Sequence, residues 1–159
     1  MNAPLPPSGP SVAKPTTQPL YRAWRFIHPD LDRGAPDQPF GLQLADGKLQ
    51  MISGAEAVRQ SILLLLSTRP GERVMRPEYG CDLFRLAFAP NDDMTAGLAI
   101  HYVRQAIERW EPRAEIIKLD AGRDPDTPER LNILLEYRLR LTQQADQLFF
   151  SLDLAGGNP

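Results

Sequence analysis

Residues 131–141 read LNILLEYRLRL, and this stretch decides the fold class. Leucine, isoleucine and tyrosine occupy every second position, and the positions between them are mostly polar: Asn132, Glu136, Arg138 and Arg140. Because alternate side chains of a strand point to opposite faces, the pattern predicts a half-buried β-strand. Leu134 is the single apolar exception on the polar face. Two further strands are predicted over 115–121 and 148–154, with a proline-containing loop over 122–129 and a polar turn over 142–147.

The sequence before these strands has the period of helices. Ser53-Gly54-Ala55-Glu56 fits a capping box, with Ser53 as N-cap, and predicts a helix that Pro70-Gly71 ends. A short amphipathic helix is predicted over 81–88. The strongest helix is predicted over 94–110, between an Asn-Asp-Asp cap and Pro112. Helices followed by strands predict an α+β fold, in which a small antiparallel sheet of C-terminal strands packs against two to three helices.

The N-terminal third differs in composition from the rest. Nine of the 16 prolines precede residue 41. We interpret residues 1–19 as an extended, proline-rich arm, which is either an assembly tether or a leader without function. Residues 20–52 are predicted to form an irregular β segment with a hairpin turn at Asp46-Gly47, and residues 53–159 the α+β core.

Composition limits the classes of function. The 159 residues carry 18 Lys and Arg against 20 Asp and Glu, a net charge of −2, which argues against a nucleic-acid partner. The longest apolar run, residues 62–66, is far shorter than the ~20 residues of a membrane span, so no membrane insertion is expected. The N-terminus lacks the pattern of a secretory signal, and we expect the protein to be made in the cytosol.

The residues offer little for catalysis. Cys81 is the single cysteine, and it is predicted to begin a helix beside an apolar face rather than to act as a nucleophile with His28 or His101. One cysteine and two histidines without ligand spacing do not favour a zinc site. Arg69-Pro70-Gly71-Glu72-Arg73 lacks the phosphate-loop pattern. We therefore predict no enzyme, no cofactor and no metal.

Two charged segments leave their role open. In Glu111-Pro112-Arg113, the proline ends the long helix and the two charges are expected to project on either side of a rigid corner. Residues alone favour two solvated charges over contacts. Likewise the arginines of the segment 69–85 either bridge internal carboxylates such as Glu72 and Glu78 or bind a partner: Arg69, Arg73, Arg76 and Arg85.

The last predicted strand has an unprotected edge. Its residues are Leu148, Phe149, Phe150, Ser151, Leu152 and Asp153, with no proline and one charge. Isolated proteins usually protect such an edge with proline, lysine or a bulge. The edge is therefore either open to a strand from a partner or covered by the helices or the N-terminal segment.

Four blocks together resemble one family: residues 66–73 (LSTRPGER), 76–80 (RPEYG), 86–88 (LAF) and 111–113 (EPR). Their order and spacing are similar to those of the baseplate wedge and sheath-initiator family of contractile tails, found in phages, type VI secretion and extracellular contractile injection systems. The similarity covers roughly residues 41–153.

The resemblance implies a structural protein without catalysis, present in six copies, one in each baseplate wedge. It implies that Glu111-Pro112-Arg113 holds the bundle of two larger wedge proteins, and that the final strands pair with the sheath subunit. The central hub or tube is a further candidate partner. Assembly in the cytoplasm would then give a phage tail-like particle. The alternative is a soluble regulatory binding module of the same fold.

Overall fold

The computed structural model describes residues 21–28 and 40–155, so the predicted arm over 1–19 lies outside the described residues. Two helices and nine strands follow one another within that part of the chain. In chain order they are β1 (Arg22–Trp24), β2 (Phe26–Ile27), β3 (Gly41–Leu42), β4 (Leu44–Ala45), β5 (Lys48–Leu49), β6 (Met51–Ser53), α1 (Ala55–Ser67), α2 (Asp93–Trp110), β7 (Ala114–Arg123), β8 (Arg130–Leu139) and β9 (Ala145–Asp153). A 3₁₀ helix, Asp82–Leu86, lies between α1 and α2.

The C-terminal sheet is antiparallel, in the order β7-β8-β9. Every second residue of β8 is buried: Leu131, Ile133, Leu135, Tyr137 and Leu139. The predicted strand and the α+β class are confirmed. β8 ends two residues earlier than the pattern suggests, because Leu139 already exchanges backbone hydrogen bonds with the turn at Gln143 and Gln144.

Helix α2 covers the inner face of the sheet. It begins at Asp93, one residue before the predicted start, and Asp92 of the predicted Asn-Asp-Asp segment is the cap, since its carboxylate accepts a 2.9 Å hydrogen bond from the Thr95 amide. Its buried side chains lie on one face and pack on the sheet: Ala99, Val103, Ala106 and Ile107. Helix α1 contributes Val58, Ile62, Leu65 and Leu66 to the same core. The core therefore lies between the sheet and the two helices.

The predicted capping box at Ser53 is wrong. Gly54 is the N-cap of α1, with φ +62° and no side-chain cap, and Glu56 instead pairs with Arg25 at 2.8 Å. Ser53 belongs to β6, where it pairs with Arg22. Since the strand holds Ser53 in extended geometry, the chain turns at the next residue, where glycine tolerates a positive φ.

The helix predicted over 81–88 is shorter and of another type. The 3₁₀ helix spans only Asp82–Leu86 and buries Leu83 and Leu86, three residues apart. At three residues per turn, these two side chains lie on the same face. The amphipathic character predicted from the sequence is therefore confirmed, but the helix has three residues per turn instead of 3.6.

The N-terminal strands form small antiparallel pairs: β1 with β6, β2 with β3, and β4 with β5. A cyclic set of backbone hydrogen bonds joins them, from Arg25 to Gln50 (2.8 Å), Gln50 to Gln43 (2.9 Å) and Gln43 to Arg25 (3.0 Å). Asp46 and Gly47 have φ of +51° and +73°, which confirms the predicted hairpin turn.

Candidate partner-binding surface

The Glu111-Pro112-Arg113 corner is an internal ion pair. Glu111 ends α2, and its side chain is only 2% exposed. Arg113 Nε and Nη2 each lie 2.5 Å from one oxygen of the Glu111 carboxylate. The prediction that the charges project on either side of the corner is wrong, and Glu111 is not solvated. A buried carboxylate is costly without a partner, and the bidentate guanidinium supplies one.

Arg113 is partly exposed and is held from three directions. Its guanidinium lies 5.0 Å from the ring centre of Tyr21, the first described residue. Its carbonyl accepts a 2.9 Å hydrogen bond from the Arg140 amide. The hydrogen bonds to Glu111 raise the pKa of Arg113 further above its ordinary value, so its positive charge is permanent. Pro112, between the paired residues, is exposed.

Residues 69–80, which we call the arginine loop, are folded back on themselves. The Cys81 amide donates to the Thr68 carbonyl at 2.9 Å and closes the loop, and the Gly71 amide donates to Pro77 at 2.7 Å. At Gly80, φ is +141°, and a Cβ atom would lie 2.5 Å from the Thr68 oxygen. Only glycine therefore fits this closure.

Aromatic rings fix the arginine loop to the end of α2. Tyr79 packs on Trp110 with 5.5 Å between ring centres, and Arg73 lies 4.1 Å from the centre of the Tyr79 ring. Glu78 forms an ion pair with Arg109. Burial raises the pKa of Tyr79, and the neighbouring Arg73 opposes that effect. Since Trp110 immediately precedes Glu111, the loop and the corner form one continuous surface.

The four arginines of this region make different contacts. Arg85 lies in the 3₁₀ helix, outside the arginine loop, and pairs with Asp82 at 3.3 Å. Arg69 lies 5.8 Å from the centre of the Phe84 ring, and its amide donates to the Glu72 carboxylate. Within residues 21–28 and 40–155, neither Arg73 nor Arg76 forms an ion pair. The alternative that Arg73 or Arg76 forms an ion pair with Glu72 or Glu78 is therefore wrong for the described residues.

Sequence reasoning missed the tip of the arginine loop and the ring contacts that hold it. Val74 and Met75 are 93% and 92% exposed, and they lie between Arg73 and Arg76. A Val-Met pair inside a turn was the available signal, because turns usually contain glycine, proline, asparagine, aspartate or serine. The contact between Tyr79 and Trp110 gave no local signal, since 31 residues separate them in the chain.

The predicted pairing strand is the edge strand β9. The Leu139 amide donates to the Gln144 carbonyl and the Leu154 amide to the Glu129 carbonyl, so even-numbered residues of the last strand bond toward β8. Phe149 and Ser151 therefore direct their amide and carbonyl groups away from the sheet. No strand in the described part of the chain pairs with that side.

Side chains of β9 alternate as the sequence predicted. Leu148, Phe150 and Leu152 are buried, whereas Phe149 is 60% exposed on the outer face. Ser151 donates a 2.7 Å hydrogen bond to the Asn132 side chain. The opposite edge, β7, has a bulge at Ile116/Lys118 and several charges. A bulge and charges protect an edge against pairing, so β9 is the more accessible of the two.

Cys81 is buried, and burial raises the pKa of its thiol to about 12. Nucleophilic chemistry needs the thiolate, which this environment opposes. No group of three metal-ligating side chains occurs among the residues with described structure. Within the same residues, neither helix has the length and apolar character to cross a bilayer.

Comparisons with known proteins identify the family. Residues 52–144, more than half of the chain, match the family described as baseplate wedge protein gp25. The gp25 protein of Enterobacteria phage T4 is 28% identical over 106 residues, which cover 66% of this chain and 78% of that relative.

Solved structures extend the likeness to three dimensions. A proposed tail lysozyme from Geobacter sulfurreducens is 36% identical with a TM-score of 0.61, covering 67% of this chain and 96% of that one. A chain of the anti-feeding prophage baseplate is 26% identical with a TM-score of 0.54, covering 82% and 84%. The chain belongs to the baseplate wedge protein gp25 family and is a structural wedge component of contractile tail systems.

Proposed function

We propose that this wedge component joins two parts of the baseplate. The surface formed by the arginine loop and the Glu111-Pro112-Arg113 corner binds the bundle of the two larger wedge proteins, and the free edge of β9 accepts a strand from the first sheath ring. Six copies, one per wedge, would then give a six-point template for the sheath. Assembly takes place in the cytoplasm, before the particle is complete.

The observation that carries the sheath proposal is the orientation of the β9 backbone. Phe149 and Ser151 point their hydrogen-bonding groups outward, and Leu148, Phe150 and Leu152 keep the inner face on the core. A partner strand can therefore be added without any change in the packing of this chain. Main-chain pairing of this kind is β-augmentation.

Within the corner, the two charged residues support the wedge proposal in different ways. Glu111 is buried, so it orients Arg113 rather than contacting a partner directly. Pro112, the exposed part of Arg113, and the loop arginines Arg73 and Arg76 are available for contacts. A guanidinium already held in place loses less entropy when it binds a second carboxylate.

Ser151→Pro tests the sheath template. The substitution removes an outward amide and leaves the even-numbered amides that bond to β8, so we expect folded protein, complete baseplates and tubes with little or no sheath by electron microscopy. Ser151→Ala is the matched control, because it removes the hydroxyl contact to Asn132 but keeps the amide. It should give normal sheaths.

Two results would contradict the proposal. Sheaths of normal length on Ser151→Pro baseplates would exclude this edge as the template. A chain that is never found in purified particles, but remains free in the cell, would instead support the alternative of a soluble regulatory module.

A further inference from the structure

Val74 and Met75 are the most exposed large apolar side chains among the described residues. They are adjacent in the chain, and the local structure does not explain why two large apolar side chains are exposed there. The Arg76 amide donates to the Arg73 carbonyl at 3.1 Å, which places Val74 and Met75 at the two central positions of a tight turn. Turns favour small, polar or φ-adapted residues at these positions, so two large apolar side chains point to contact with another molecule.

The turn is held rigidly within the arginine loop. Hydrogen bonds from Gly71 to Pro77 and from Glu72 to Arg69 lie directly behind it. Arg73, at the base of the turn, stacks on Tyr79, which in turn packs on Trp110. A surface that is already ordered before binding loses little conformational entropy on association.

The charge around the tip is positive. Arg73 and Arg76 flank the apolar pair, and neither has an ion-pair partner in the part of the chain that the structure describes. The two acidic residues of the loop are engaged elsewhere, since Glu72 accepts a hydrogen bond from the Arg69 amide and Glu78 pairs with Arg109. The complementary surface is an apolar pocket with carboxylates at its rim.

We propose that Val74 and Met75 insert into an apolar pocket, bordered by Asp or Glu side chains, on the bundle of larger wedge proteins. This inference rests on the proposed function, because the loop tip continues the surface of the Glu111-Pro112-Arg113 corner. The apolar pair supplies affinity at the centre of the contact, and the two arginines fix its orientation at the rim.

The test measures affinity for the two larger wedge proteins of the same system, purified as a complex, at low and high salt. We compare the full chain with Val74→Ser/Met75→Ser and with Arg73→Glu/Arg76→Glu. The serine variant should bind at least about tenfold more weakly and keep the salt dependence of the wild type. The glutamate variant should bind more weakly at low salt and gain affinity as salt rises.

Met94→Ser is the matched control. Met94 is also highly exposed, at the start of α2, and so lies about 24 Å along the helix from Trp110. It should bind as the wild type does. Thermal midpoints should be equal for the control and the serine variant, because neither changes a buried side chain.

Each outcome has a separate meaning. Binding of the serine variant within twofold of the wild type would overturn this inference and leave the proposed function standing. Failure of the wild-type chain to bind the complex at all would overturn the proposed function itself. Flotation of the wild-type chain, but not the serine variant, with phosphatidylserine vesicles would assign the tip to a membrane surface and overturn the proposal.

Discussion

The guanidinium of Arg59, on α1, donates a 2.7 Å hydrogen bond to the backbone carbonyl of Gln147, at the beginning of β9. The same guanidinium lies 3.4 Å from the carboxylate of Asp146. Gln147 is an outward-facing position of the edge, and its amide donates a 2.8 Å hydrogen bond to the Asp146 carboxylate, so both of its pairing groups are already occupied within the chain. A strand added to this edge is thereby restricted to residues 149–153, which fixes its register.

Hydrogen exchange should alternate along β9 in the isolated protein. The amides of Phe149 and Ser151 point outward and should exchange faster, by about two orders of magnitude, than those of Leu148, Phe150 and Leu152, which bond to β8. Amide exchange followed by NMR measures this directly. The amides of β8, paired on both sides, serve as the internal control, and uniform protection along β9 would contradict the derived orientation.

Arg113→Ala should destabilise the isolated protein by about 3 kcal/mol, because it leaves the buried Glu111 carboxylate without its partner. Chemical denaturation measures the change. Arg104→Ala removes an exposed pair to Glu108 on the same helix and should change stability by less than about 0.5 kcal/mol. Equal effects of the two substitutions would show that the corner contributes no more than a surface ion pair.

Cys81→Ser should cost about 1–2 kcal/mol and leave baseplate assembly intact. Because burial raises the pKa of the thiol to about 12, Cys81 should resist alkylation in the native protein and react fully after denaturation. Mass spectrometry after iodoacetamide treatment gives both measurements. Rapid alkylation of the folded chain, or loss of assembly with the fold preserved, would contradict a purely structural role.

Gly80→Ala should destabilise the protein by about 1–3 kcal/mol and displace the arginine loop, since the new Cβ atom meets the Thr68 carbonyl. Gly97→Ala is the matched control. Gly97 lies in α2, and a Cβ atom there meets nothing within 4 Å, so the same change should stabilise the helix by about 0.5–1 kcal/mol. Thermal denaturation of both variants should show shifts of opposite sign.

The stability of the protein should fall in acid through Asp146. Burial opposes ionisation of this carboxyl, but hydrogen bonds from Tyr137 and the Gln147 amide, together with Arg59, outweigh it and hold the pKa below its ordinary value. A lowered native pKa gives stability that is complete above about pH 4 and is lost as the pH falls through the native value.

Tyr137→Phe removes one of these donors, so its deficit in unfolding free energy should be larger at pH 7 than at pH 2. Tyr102→Phe is the control, because the hydroxyl of Tyr102 makes no hydrogen bond within the described residues, and its effect should not vary with pH. If Tyr137→Phe lowers the free energy of unfolding equally at both pH values, Asp146 does not contribute to the loss of stability in acid. Urea denaturation at the two pH values measures both variants.

Periodicity explains what could be predicted from the sequence. β8 and α2 bury long, regular faces, so their periods of two and 3.6 are clear from the residues alone. The strands β2 to β5 are two residues each, too short to show any period. Their register depends on the backbone contacts among Arg25, Gln43 and Gln50, which sequence pattern does not encode.

The candidate site was predicted only as a set of residues. Glu111 and Arg113 are two positions apart, and nothing in that spacing distinguishes a buried pair from two solvated charges. The difference between a buried Glu111 and a partly exposed Arg113 follows only from the exposure of each side chain in the folded chain. The direction of the β9 amides likewise depends on pairing with β8, so the sequence could indicate an unprotected edge but not which of its backbone groups are free.

The arginine loop also has a consequence for proteolysis. Two of its three arginines, Arg69 and Arg76, are followed by proline, and trypsin cleaves such bonds poorly. The one remaining tryptic bond in the loop joins Arg73 to Val74, at the most exposed point of its turn. Limited digestion with trypsin should therefore cut this loop once, between Arg73 and Val74. Slower cleavage of that bond would show that a bound partner covers the tip.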